Sequence, residues 1–225
     1  HTLSQMSNEN NFDFTGLHLY DKDAYKVELP PVENYSTTVD YNPETYTYTF
    51  THTLNTFGIN IVHEWEDYDN KFNLRPSEVS YDLTRSGTKV AGTTGSGTDW
   101  KTSFNDLALA FEEEYKVAED VEVEDYTTSL VSYDSETHTY TFRSVLKVVD
   151  VHVEHYWDDE ENKYGIRPET VTYTLTLDGS EIDSASANIE GDGLVATFEG
   201  IPESLISHLG LAEVNVSEYT TDPVE

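Results

Sequence analysis

The side chains able to do chemistry in this sequence come in pairs. His63 and His155 each stand two residues before a tryptophan, Trp65 and Trp157. An acidic loop follows each indole, Glu66-Asp67-Tyr68-Asp69-Asn70 in one place and Asp158-Asp159-Glu160-Glu161-Asn162 in the other. Two bases close each loop, Lys71 with Arg75 and Lys163 with Arg167. An imidazole can act as a pH-sensitive base or a metal ligand. Its ordinary role on a strand is a core group satisfied by a neighbouring hydroxyl or carboxylate. Clustered carboxylates offer the hard oxygen ligands that calcium takes six to eight of. Neither loop has EF-hand spacing, so the simpler reading is a solvated turn whose Asp and Asn bond local backbone. The recurring bases are expected to answer the local acids.

Several chemistries are excluded at this level. With no cysteine in 225 residues there are no disulfides, thiolate zinc sites or Cys nucleophiles. There is no HExxH pair, phosphate loop or Ser-His-Asp constellation, and no carboxylate pair stands out among 44 acidic residues. The expectation is a protein that is not an enzyme, with no catalytic, metal or cofactor-binding residues and no cofactor, calcium being the one ion to consider. A net charge of −32 argues against nucleic acid and anionic membrane surfaces as partners. No run is long and apolar enough to span a membrane. The chain opens on His1 without an initiator Met, which reads as a segment of a longer protein whose targeting signals lie elsewhere.

The elements that position these residues are legible as an internal repeat. WEDYDNKFNLRPSEVSYDL (65–83) returns as WDDEENKYGIRPETVTYTL (157–175), an offset of 92 residues. VDYNPETYTYTF (39–50) returns as VSYDSETHTYTF (131–142) at the same offset. Most runs alternate with period two and are rich in Val, Thr and Tyr, which predicts short strands. Strands are expected at 12–17, from Tyr25, at 35–41, 46–54, 59–65, 79–83, 100–104, 114–118, 126–132 and 137–143. The second copy predicts strands at 149–157, 171–177, 194–198 and 212–218. Ser86-Gly87 and Asp178-Gly179 mark turns, and a short helical turn is expected between Phe104 and Glu114. Seven or so strands per 90 residues without intervening helices predict an all-β fold of tandem β-sandwiches, and a parallel α/β sheet is not expected. The boundaries read as 1–54, the second half of a repeat and so an incomplete sandwich; 55–146, a complete sandwich; and 147–225, a sandwich lacking its last strand.

The pattern Trp-x-Asp-x-x-Asn-x-x-x-x-Arg-Pro, followed by Val-x-x-x-Leu and later by Tyr-x-Val-x-Glu, resembles the Cna protein B-type (CnaB) repeat. The resemblance covers most of the chain. It implies immunoglobulin-like sandwiches in the stalk of a Gram-positive surface adhesin or the shaft of a pilin, extracellular and attached to the cell wall. Neighbouring repeats of the same protein would be the partners, with a direct host-protein or glycan-binding module as the alternative. Many members join a first-strand Lys to a last-strand Asn in an isopeptide bond, assisted by a buried acid. By this resemblance the amine position falls on His63 and His155, the amide position on Ser144 (and near His52 in the half repeat), and the acid on Glu119 and Glu218. With both amines and amides replaced, neither whole repeat is expected to form the bond. An ester cross-link would need glutamine, and Gln5 is the only one. The unmatched ends carry one further expectation, that the chain associates head to tail by strand complementation.

Overall fold

In a computed structural model the described residues are 14–17, 25–119, 121–188, 193–212, 214 and 216–220. The chain divides into two compact units, an N-terminal one up to Thr56 and a larger one that holds nearly all the rest.

In the N-terminal unit, β1 (Tyr35–Asn42) and β2 (Thr47–Leu54) form an antiparallel hairpin. Asn42 closes its turn by accepting from the backbone N–H groups of Glu44 and Thr45, the local bonding that favours Asn at turns. Tyr41 and Tyr48 stack across the strands at 4.5 Å. The strands expected at 12–17 and from Tyr25 do not form: residues 14–17 and 25–32 are irregular, and 12–13 lie outside the described residues. Pro30-Pro31 leaves that stretch short of backbone donors for a ladder.

The larger unit opens with β3 (Thr56–Glu66), followed by β4 (Glu78–Arg85), β5 (Thr88–Ser96), β6 (Lys101–Ala108), β7 (Tyr115–Val117), β8 (Tyr126–Asp134) and β9 (Thr139–Leu146). They follow the order β7-β4-β5-β6-β3-β9-β8. Between β5 and β6 the pairing narrows to Ser96 with Lys101, and there the sheet turns over into two layers. Alternation sets the faces: Val79, Tyr81 and Leu83 of β4 point inward, as do Tyr140, Phe142 and Ser144 of β9. The two layers share one core, with Ile59 and Ile61 from β3, Phe104 from β6 and Tyr126 from β8. Trp100, which the repeat pattern does not single out, belongs to that core as well. The Ser86-Gly87 turn takes positive φ at both residues, as a tight hairpin between twisted strands demands. The helical turn is a short 3-10 segment at Leu109–Glu114. β3 lies beside β9 in parallel, with His63 opposite Phe142 and Trp65 opposite Ser144.

The pattern then restarts after a single residue, Lys147. β10 (Val148–Tyr156) pairs with β13 (Gly193–Pro202). β11 (Thr170–Leu177) lies between β12 (Ser180–Asn188) and β14 (Leu209–Leu211). Val171, Tyr173, Leu175, Ala196, Phe198 and Ile201 make a second core. Even the irregularity is copied, since β4/β5 shift register at Leu83/Thr84 and β11/β12 at Leu175/Thr176. Of the strand expected at 212–218, residues 213 and 215 lie outside the described residues, and the described ones, 212, 214 and 216–218, are not in a strand. Its role belongs to β14, three residues upstream, and Ser217-Glu218 forms a turn with Glu218 at φ 68°. Among the described residues β10 is hydrogen-bonded to β13 alone.

Candidate functional site

Two polar constructions are built into each sandwich around the recurring motif. The first lies in the core. His63 is 4% exposed and Ser144 fully buried. His63 Nδ1 is 2.6 Å from the Tyr81 hydroxyl, and its Nε2 is 2.8 Å from Ser144 Oγ. Thr128 Oγ1 continues the chain to Ser144 at 2.6 Å. A neutral imidazole has one donor and one acceptor nitrogen, and each flanking hydroxyl can serve either role, so this row is satisfied in either tautomer. Burial holds the His63 pKa down to about 4 and pushes that of the Tyr81 phenol up. The row is therefore uncharged at neutral pH. In the second sandwich His155 Nδ1 meets the Tyr173 hydroxyl at 2.9 Å.

The second construction organises the acidic loop. Asp67 is buried at 3% exposure. Arg75 grips it with two parallel bonds, from Nε to Oδ2 and from Nη2 to Oδ1, each 2.6 Å. The Tyr126 hydroxyl and the Asn70 N–H donate to the same carboxylate. Burial works to raise the Asp67 pKa, but the Arg75, Asn70 and Tyr126 donors outweigh it and hold it below the ordinary carboxylate range. Asn70 returns a bond by accepting from the Arg75 N–H. Tyr68, Asp69 and Asn70 all take left-handed backbone, which wraps the loop round this pair. The copy is faithful. Arg167 holds Asp159 through Nε and Nη2, Tyr219 donates to Asp159, and Glu160, Glu161 and Asn162 are the left-handed run. Each guanidinium also lies over its tryptophan ring, at 5.5 Å for both Arg75–Trp65 and Arg167–Trp157. The indoles are half-buried, and Nε1 of each is enclosed without a hydrogen-bond partner.

These contacts settle where the singled-out residues lie. His63 and Ser144, 81 positions apart, touch. Glu119 does not join them: it is exposed beyond β7, and the Tyr81 phenol occupies the place beside His63. The matching of Glu119 with Glu218 is corrected as well. Leu83 faces Val117 as Leu175 faces Leu211, so the counterpart of Glu119 is residue 213, outside the described residues. Glu218 instead precedes Tyr219 with positive φ, as Asp125 precedes Tyr126. A two-residue difference in loop length hid this in the sequence. In each acidic loop one carboxylate is held by an arginine, Asp67 by Arg75 and Asp159 by Arg167. Among the described residues no three acidic or histidine side chains converge as metal ligands. The clamp tyrosines Tyr126 and Tyr219 were missed because each sits about 60 residues from its aspartate.

Two segments of the chain, residues 59–142 and 151–224, match the model of the Cna protein B-type domain. The chain therefore belongs to the Cna B-type domain family, and its sandwiches are two domains of that kind in series. It is 27% identical over 98% of its length to a collagen adhesin of Staphylococcus aureus, of which it spans 19%. Two solved structures from the collagen-binding protein of Staphylococcus aureus are similar at 30% identity. A pair of B repeat units is matched over 86% of this chain and 53% of that one with a TM-score of 0.34; a single unit is matched over 75% and 91% with 0.33. Among the described residues no helix is long and apolar enough to cross a membrane.

Proposed function

We propose that this chain is a length of the stalk of an extracellular surface adhesin, anchored to the cell wall, whose domains bear load and carry a distal binding region without catalysing a reaction. The observation that supports this best is the single residue between the two sandwiches. The Lys147 N–H donates to the Asp125 carbonyl of the first, and the Lys147 carbonyl accepts from the Glu203 N–H of the second. A linker fastened on both sides passes strand into strand with no slack. Phe72 packs against both cores, and Lys71 reaches Asp183 at 3.3 Å. A hinge meant to flex would be expected to have a looser, Gly- or Pro-rich connection.

The test is small-angle scattering from dilute protein, with and without a Gly-Gly insertion after Lys147. The stalk reading expects the native profile to fit one fixed arrangement of the two sandwiches and the insertion to broaden it. Identical profiles would overturn it. The alternative, a direct binding module, would draw on exposed aromatics such as Tyr156 and Tyr164, each 74% exposed. Collagen, named for the relative, is the probe: the stalk reading expects no retention of this chain on immobilised collagen.

A further inference from the structure

The sulfur side chains that usually meet an oxidant are nearly absent: the chain has no cysteine and one methionine. Indoles and phenols are then its most easily oxidised groups. All three indoles belong to the recurring motif or touch it. Trp65 and Trp157 are half-buried, and Trp100 meets Trp65 edge to face at 4.9 Å. Each motif indole lies against its histidine with ring centres 4.6 Å apart. Each histidine is in turn hydrogen-bonded to a tyrosine, His63 to Tyr81 at 2.6 Å and His155 to Tyr173 at 2.9 Å. Both sandwiches therefore hold the same row of indole, imidazole and phenol. Two features make the indole a poor place for an electron hole to rest. Its Nε1 is enclosed without a hydrogen-bond partner among the described residues, so an indole radical cation has no base there to take its N–H proton. A guanidinium also lies over each ring at 5.5 Å, and its charge opposes a second positive charge beneath it. The phenol is the opposite case. A neutral imidazole with its proton on Nε2 offers Nδ1 as the acceptor of the phenolic proton, and histidine is suited to carrying a proton to and fro.

We propose that each sandwich relays an electron hole from Trp65 or Trp157 to Tyr81 or Tyr173, the phenolic proton going to His63 or His155. Electrons and protons balance within the row. An oxidising radical from the surroundings gains one electron and leaves an indole radical cation. The Tyr81 phenol returns an electron to the indole, and its proton moves along the 2.6 Å bond to His63 Nδ1. The products are a neutral phenoxyl radical and an imidazolium whose Nε2–H faces Ser144 Oγ at 2.8 Å. One electron from a reductant and return of the same proton reset the pair. Burial makes His63 a weak base, but a phenol radical cation is a strong acid and gives up its proton to a weak base. Tyr81 and Tyr173 are buried, which keeps the phenoxyl from coupling with other molecules. Tyr126 and Tyr219 also lie near the indoles, at 5.0 and 4.7 Å, but they hydrogen-bond to Asp67 and Asp159. Arginine already holds those carboxylates below the ordinary range, and taking a proton would break the clamp. The relay is an activity beyond load bearing and rests on no part of the stalk reading.

Pulse radiolysis of the full chain with the azide radical, a one-electron oxidant of indoles, reads the transfer directly. The absorption of the indole radical is expected to decay as that of a phenoxyl radical rises, at a rate independent of protein concentration and slower in heavy water. Tyr81→Phe with Tyr173→Phe keeps both rings and is expected to lose most of the phenoxyl rise. His63→Gln with His155→Gln leaves each phenol a carbonyl acceptor but no base, and is expected to lose it as well. Tyr126→Phe with Tyr219→Phe is expected to leave the rise unchanged. Urea unfolding midpoints check that each variant is folded, and the measurements on the native chain stand without them. Decay of the indole radical with no phenoxyl rise, a rate that scales with protein concentration, or no slowing in heavy water would overturn the proposal. So would a full rise in either of the first two variants, or its loss in the third.

Discussion

His63 Nε2 and Ser144 Oγ stand 2.8 Å apart in the first core, a first-strand and a last-strand side chain joined by a hydrogen bond. By the family resemblance these are the two positions that other members link covalently. An imidazole and a hydroxyl cannot condense as an amine and a carboxamide do, and the group beside them is the Tyr81 phenol rather than a carboxylate. The intact mass is expected to equal that of the sequence. A Lys–Asn bond would remove ammonia, about 17 Da, and a deficit of that size by electrospray mass spectrometry would refute the assignment.

The same imidazole makes stability depend on pH. The folded state holds the His63 pKa at about 4 against 6.5 for the free side chain. His155 is lowered in the same direction, also by burial. A base depressed in the fold contributes stability that is fully present above its unfolded pKa. That stability is lost as pH falls from about 6.5 towards 4, because only the unfolded chain takes up the proton. For His63 the loss is on the order of 3 kcal/mol. Urea unfolding midpoints at pH 7 and pH 5 are expected to differ clearly in the native chain and much less in His63→Gln. An equal drop in both would assign the effect elsewhere.

Burial separates two ion pairs that look alike in a sequence. The Asp67 side chain of the Arg75 pair is 1% exposed, while Arg143 and Glu64 are 43% and 45% exposed. Arg75→Ala strands a buried carboxylate and is expected to cost about 3–5 kcal/mol. Arg143→Ala is expected to cost less than about 1 kcal/mol. Arg75→Lys is expected to fall nearer the alanine variant, because an ammonium cannot make the paired contact. Chemical denaturation of the three variants checks the order.

What could be read beforehand follows from what alternation and repetition record. The sandwich class, the hairpin turns and the Trp…Arg-Pro loop were visible because β-strands bury every second residue and the repeat prints each feature twice. The clamp tyrosines and Trp100 were not, since partners tens of residues apart leave no periodic trace. Residues 212–218 alternate like a strand, yet the ladder of β11 is filled by Leu209–Leu211, and tertiary pairing overrode local pattern. Glu119 was assigned by motif alone; nothing in its neighbours signals that the chain leaves the sheet at Ala118 and carries the carboxylate into solvent.

Between the sandwiches, the joint should behave as a shared core. Phe72 packs against both clusters, and Gly200 lies under Tyr68. A Cβ at Gly200 would meet the Tyr68 hydroxyl oxygen, and the left-handed φ of 69° adds strain for any other residue. Since the Tyr68 ring is 60% exposed, it has room to swing aside. The strain is therefore expected to dominate, and Gly200→Ala should cost about 1–2 kcal/mol. In a Tyr68→Ala background the cost should shrink only by the part due to the clash, a coupling of about 0.5 kcal/mol or more if the contact is real. Phe72→Ala removes a ring from both cores at once. Calorimetry of the native chain is expected to show the two sandwiches melting together. In Phe72→Ala they should separate into two transitions, with the second sandwich first, because its β10 face is less covered. Two resolved transitions already present in the native chain would show that the joint couples nothing.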